Sequence, residues 1–185
     1  MKTAMGLVLA LALAIPAAAQ KPWLQEPAGF RGLPWGSPLA DTVRAFPEGF
    51  VSPIGNFLKV ERFDVGTVRT KLYMTFKGFG TDKAGGGLWT IDMEFALSDM
   101  STMKTIFVTK YGQPTGHRTE DGDRLMQWKG KHVQIELGPL SVEHTGHAVF
   151  TVLAVDAQVR KENADSVARQ RAEQARKNRK AVDAF

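Results

Sequence analysis

Two stretches of this chain alternate apolar and polar residues one by one, and that period confines them to neighbouring strands with one greasy face. Val68, Thr70, Leu72, Met74 and Phe76 take turns with Arg69, Lys71, Tyr73, Thr75 and Lys77, and Trp89, Ile91, Met93, Phe95 and Leu97 with Thr90, Asp92, Glu94 and Ala96. Successive side chains of a strand point to opposite faces, so each stretch has a core side and a water side. One antiparallel register suits both. It sets Phe76 against Trp89, Met74 against Ile91 and Leu72 against Met93, and on the wet face Lys71 against Glu94 and Tyr73 against Asp92. An earlier strand over 57–65 changes phase between Leu58, Val60 and Phe63, Val65, which calls for a bulge.

Helix signals flank these strands. Ser37-Pro38 reads as an N-cap with proline at the first helical position; Leu39, Val43 and Phe46 form one stripe, and Pro47 ends the element. Ser98 reads as the cap of a second helix, whose Met100, Met103, Ile106, Phe107 and Tyr111 face inward before Gly112 and Pro114 stop it. A hairpin turning at Gly130-Lys131 would pair Trp128 with Val133, Met126 with Ile135 and Gln127 with Gln134, and Ala148, Phe150, Val152 and Ala154 continue the sheet. The expected fold is α+β. It has an antiparallel sheet of about six to eight hairpin-connected strands, two short helices packed on one face, and a polar C-terminal helix. Each short helix precedes a meander, which hints at duplication without any residue-level repeat.

Residues 1–19 read as a signal peptide: Lys2, an apolar run from Ala4 to Ile15, and Ala17-Ala18-Ala19 as the cleavage site before Gln20. The run is too short to span a membrane, which takes roughly twenty residues. A periplasmic or secreted location follows. With no cysteine in the chain, lipid anchoring and disulfide stapling are both excluded, and residues 20–156 must stand on a hydrophobic core as one domain. Charge is uneven: once Lys2 and the eight basic and four acidic residues of 157–185 are set aside, fifteen of each sign remain. The excess sits on the last helix, 157–185, which lacks Gly and Pro and carries Ala164, Ala168, Ala172, Ala175 and Val182 as a thin apolar seam.

Residues able to do chemistry are few. Asp92 and Glu94 share one face of a strand roughly 7 Å apart, a spacing that suits two carboxylates flanking a water in an inverting hydrolase. An ordinary ion ladder with Lys71 and Tyr73 is the better account of them. His144 and His147, beside Glu143, have the spacing of two metal ligands on one helical turn, yet Gly146 argues for a polar turn before a strand. Glu120-Asp121-Gly122-Asp123 resembles part of a calcium loop but lacks its later glutamate, and reads as a hairpin tip. The glycine-rich segment 78–87 joins two strands and opens no helix, so it lacks the setting of a phosphate loop. Without G-x-S-x-G or cysteine, no nucleophile motif is present, and no catalytic, metal or cofactor residue is assigned. Phe79 in that loop and Arg169, Arg176, Lys177, Arg179 and Lys180 on the last helix remain as possible partner contacts.

Phe30-Arg31-Gly32-Leu33-Pro34-Trp35-Gly36-Ser37, followed by a short helix, and Lys110-Tyr111-Gly112-Gln113-Pro114, followed by Trp128 and the strand Val133 to Leu137, appear together. This combination resembles a group of small exported bacterial proteins, many of them lipoproteins. The resemblance spans roughly residues 29–155 and implies a periplasmic α+β domain; it brings no catalytic residues. The functional expectation is a soluble periplasmic, non-enzymatic binding protein of the cell envelope, meeting an envelope protein or an anionic envelope surface, with neither a membrane span nor a physiological nucleic-acid target. The alternative is an envelope hydrolase or metal enzyme using Asp92 and Glu94, or His144 and His147.

Overall fold

A computed structural model describes residues 26–53, 55–77, 87–141 and 143–182, with side chains through Arg179. Residues 1–19, expected as a leader, Phe79 with most of its glycine loop, and the Lys180 side chain lie outside the described residues. A two-stranded hairpin of β1 (Gly29–Phe30) and β2 (Leu33–Pro34) comes first, then α1 (Leu39–Ala45). The first meander follows as β3 (Phe50–Val51), β4 (Phe57–Val65), β5 (Val68–Phe76) and β6 (Leu88–Ala96). A 3-10 turn, Leu97–Asp99, leads into α2 (Met100–Tyr111). The second meander is β7 (Gly116–Glu120), β8 (Asp123–Lys129), β9 (Val133–Leu140) and β10 (Thr145–Val152), and α3 (Leu153–Val182) ends the chain.

The two meanders form one eight-stranded antiparallel sheet in the order β3-β4-β5-β6-β10-β9-β8-β7, an α+β fold as expected. Each half is a helix followed by four strands, and the halves meet through their last strands, β6 and β10. One sheet face carries the core: Leu72, Met74, Ile91, Ile135, Leu137 and Trp128 are all fully buried. Phe46 after α1, and Met103, Phe107 and Tyr111 of α2, join the same cluster. Trp128 also donates its indole N–H to the Gly112 carbonyl at 2.9 Å, fastening the end of α2 to β8. Burying a side chain of this size is worth roughly 1.5–3 kcal/mol, so this face is where the stability of the domain lies.

Most of the expected β5–β6 register is present: Met74 faces Ile91, Leu72 faces Met93, Lys71 faces Glu94 and Tyr73 faces Asp92. Its first pair is not. Phe76 lies opposite Leu88 after a register shift, and Trp89 turns to a half-buried position. The cause is the segment before α1, which holds the start of β6: Leu88 N–H donates to the Ser37 carbonyl at 2.9 Å, and Gly36 N–H to the Leu88 carbonyl at 3.3 Å. Leu97 is likewise turned out, 38% exposed, because the strand ends at Ala96 in the 3-10 turn. The bulge in β4 falls between Val60 and Phe63, where the change of phase places it.

Neither serine caps its helix. The Ser37 hydroxyl donates to the Pro34 carbonyl at 2.7 Å, and α1 begins after Pro38; Asp99, the last residue of the 3-10 turn, takes the place expected of Ser98. The β8–β9 hairpin is wider than a two-residue turn, with Trp128 opposite Ile135, Met126 opposite Leu137 and Gln127 opposite Glu136. A shift of two residues keeps every side chain on its expected face. Its source is Glu26, whose carboxylate accepts the N–H groups of His132 at 2.6 Å, Val133 at 2.7 Å and Lys131 at 3.2 Å and spreads the loop.

The last helix begins at Leu153 rather than at 157, with no turn after β10, so Ala154 is helical instead of continuing the sheet. Its first turns touch the body, where the Lys77 ammonium lies 2.7 Å from a Glu162 carboxylate oxygen. From Arg160 to Arg179 every residue but Ser166 is exposed. At about 1.5 Å per residue, that bare length is about 30 Å. No helix among the described residues is long and apolar enough to cross a membrane.

Candidate functional site

The wet face of the sheet gathers its polar side chains at the seam between the halves. Alternation sends Lys71 and Tyr73 of β5, Asp92 and Glu94 of β6 and His147 of β10 to the same side, and the strand order makes them neighbours. Lys71 Nζ donates to Glu94 Oε1 at 2.7 Å and the Tyr73 hydroxyl to Glu94 Oε2 at 2.9 Å. Tyr73 therefore serves the diagonal carboxylate rather than Asp92 opposite it. Asp92 Oδ1 lies 2.8 Å from His147 Nδ1, and Thr145 Oγ1 lies 2.9 Å from His147 Nε2. Glu143 Oε2 stands 3.7 Å from the same Nε2.

Electrostatics follow from these contacts. The Lys71 hydrogen bond, with help from Tyr73 and against some burial, holds the Glu94 carboxyl below the usual range. Burial works against a charged His147, but the Asp92 hydrogen bond and charge, with Glu143 and Glu94 behind them, outweigh it and raise the imidazole above its ordinary value. The side chain of His147 is only 10% exposed, so little solvent screens these partners. Farther along the face, Glu136 accepts from Gln127 Nε2 at 3.0 Å and lies 3.4 Å from Arg118.

This arrangement re-pairs the residues singled out in the sequence. Asp92 and Glu94 do share a face, yet each is held by its own partners, and a glycosidase-type general acid needs a raised carboxyl where Glu94 has a lowered one. His144 and His147 do not converge. His144 sits exposed in the β9–β10 turn at φ 55, while His147 lies on the strand against Asp92. Among the described residues no group of three or more His, Asp or Glu side chains could hold a metal ion. The segment from Glu120 to Asp123 is the β7–β8 hairpin tip, with Asp121 at φ 49 and Gly122 at φ 89.

Thr145, His147 and Asp92 line up as hydroxyl, imidazole and carboxylate, the order that activates a nucleophile. Sequence reasoning missed the trio, because only the β6–β10 pairing brings Asp92 to His147. The trio can orient an imidazole and pass a proton. Thr145, however, is paired on both sides, to Ala96 and to Leu140, so the sheet ladders occupy the nearby backbone amides that could receive an oxyanion.

The basic residues of α3 are positioned differently. Its first half, to Ala168, holds Asp156, Glu162 and Asp165 against Arg160 and Lys161; beyond it come Arg169, Arg171, Arg176, Lys177, Arg179 and Lys180 against Glu173 alone. Arg160 pairs with Asp156 at 2.7 Å and Lys177 with Glu173 at 2.9 Å, each one helical turn apart. The positive charge lies at the far end of the bare helix. No family model, curated protein or solved structure matches this chain.

Proposed function

We propose that the chain is an exported, non-enzymatic binding protein of the bacterial cell envelope, which reaches an anionic envelope component through the distal half of α3. The observation that carries this reading is the charge gradient along an uncovered helix: an acidic-leaning half beside the body and a strongly basic half beyond it. A helix kept bare over about 30 Å gains nothing from packing. What it offers is reach and charge, and an exposed basic stripe attracts anions over roughly a Debye length, about 8 Å at physiological salt. The leader 1–19 supports a periplasmic or secreted location, and the mutual pairing of the polar groups on the sheet supports a binding rather than a catalytic role.

Capture from an envelope extract tests the reading, with the whole chain and a chain ending at residue 163 as baits. The whole chain should retain partners that salt releases and that the shortened chain does not retain. Equal recovery of every partner by both baits removes the arm from the function. A hydrolase reading has one specific observation in its favour, the line of Thr145, His147 and Asp92. Turnover of a simple activated ester that His147→Ala abolishes would move the assignment there.

A further inference from the structure

Away from the arm and the polar seam, a hollow of about 230 Å³ opens beside the β1–β2 hairpin, between α2 and the bulged part of β4. Its walls are largely aromatic, formed by Phe30, Phe63, Phe107, Tyr111 and Phe150. Ring centroids stand 5.7 Å apart for Phe30 and Phe63, 6.1 Å for Phe30 and Phe150, and 5.9 Å for Phe107 and Phe150. Rings at such separations attract one another in tilted arrangements, so the walls support themselves with the hollow open. A dry cavity of about 150 Å³ accepts benzene. This one has room for a ring and a short chain.

Charge at the hollow is one-sided. Of the three charged residues that line it, Asp64 already faces Arg69 at 3.9 Å. Arg31 and Lys110 have no acidic partner within ion-pair distance among the described residues; both are exposed, and their cations sit against ring faces instead. Arg31 Cζ lies 5.1 Å from the Phe63 centroid and Lys110 Nζ lies 5.3 Å from that of Tyr111. Arg31 also holds a left-handed backbone at φ 50, next to Gly32 at φ 82. A two-residue hairpin turn takes Asn or Gly there more cheaply, by about 1 kcal/mol or more. An arginine at that position places a guanidinium against the Phe63 wall, a strained arrangement of the kind that gathers at ligand clamps.

From the aromatic walls, the volume and the two unmatched cations we infer that this hollow binds a small carboxylate with an apolar, ring-sized body. The ring lies among the phenylalanines and the carboxylate between Arg31 and Lys110. Burial of the ring supplies affinity, and the cations select an acid over its neutral or positively charged analogues.

Hydrocinnamate, hydrocinnamyl alcohol and the corresponding amine, titrated into the purified chain and followed by calorimetry and NMR, test this. Hydrocinnamate should saturate and bind about tenfold tighter than the alcohol, a ratio in keeping with a charge-assisted contact, while the amine stays weaker than both. Replacing both exposed cations, Arg31→Gln with Lys110→Gln, should bring the acid down to the affinity of the alcohol. Ile106→Trp, which fills the hollow from α2, should abolish binding of both. Should that variant fail to fold, ring-proton shifts of Phe30 and Phe150 in the unaltered protein report the same site. Absence of saturation, equal affinity for acid and alcohol, or shifts confined to other residues would each overturn the inference.

Discussion

His147 joins the two halves of the sheet on its wet face. It is the partner of Asp92 across the β6–β10 seam and faces Thr145 and Glu143 on the other side of its ring. Its folded pKa is raised, so protonation favours the folded state. That contribution is complete below the ordinary histidine value and fades as pH climbs through the folded one. Glu94 acts in the opposite sense: its pKa is lowered, and its contribution, present above the ordinary carboxylate value, is lost as pH falls through the folded one. In an NMR titration the His147 ring should therefore have a midpoint above that of a model histidine, and Asp92→Asn should lower it. A midpoint unmoved by Asp92→Asn would mean that the hydrogen bond does not set the charge of the ring.

The seam of the central sheet depends on a bare backbone position as well as on greasy side chains. A Cβ built on Gly146 would stand 2.2 Å from the Phe95 ring, and Phe95 is only 3% exposed, with little room to move. Gly146→Ala should therefore cost about 1–3 kcal/mol in a denaturant melt, an overpacking penalty. An unchanged midpoint would show that the Phe95 ring can shift off Gly146. Pairs such as Leu72 with Met93 and Met74 with Ile91 were legible in the sequence because alternation within two adjacent strands leaves one register. Trp89 and the β8–β9 loop were not, since distant segments set them: Gly36 and Ser37 hold the start of β6, and Glu26 clasps residues 131–133. The Asp92–His147 contact was hidden for the same reason. It needs the β6–β10 pairing, which no local pattern encodes, and the hollow needs the β1–β2 hairpin laid over the sheet.

Taken whole, the molecule is two helix-and-four-strand halves meeting at β6 and β10, with one long helix leaving the second half. The strand order reads inward in the same way from both edges, so the succession of helix and meander seen in the sequence recurs in the topology. Body and arm should separate in stability as they do in contacts. A chain ending at residue 163 keeps Glu162 opposite Lys77 and should melt within about 2–4 °C of the full chain, a shift below 1 kcal/mol. A chain ending at residue 155 loses that ion pair and the docked turns, and should melt lower. Amide hydrogen exchange along the whole chain tests the central claim, a self-sufficient sheet body carrying a bare helical arm. The account predicts that amides of β5, β6, β9 and β10 open only with global unfolding, while those of α3 beyond Ala164 exchange orders of magnitude faster. Protection in the outer half of α3 equal to that in β10 would contradict it.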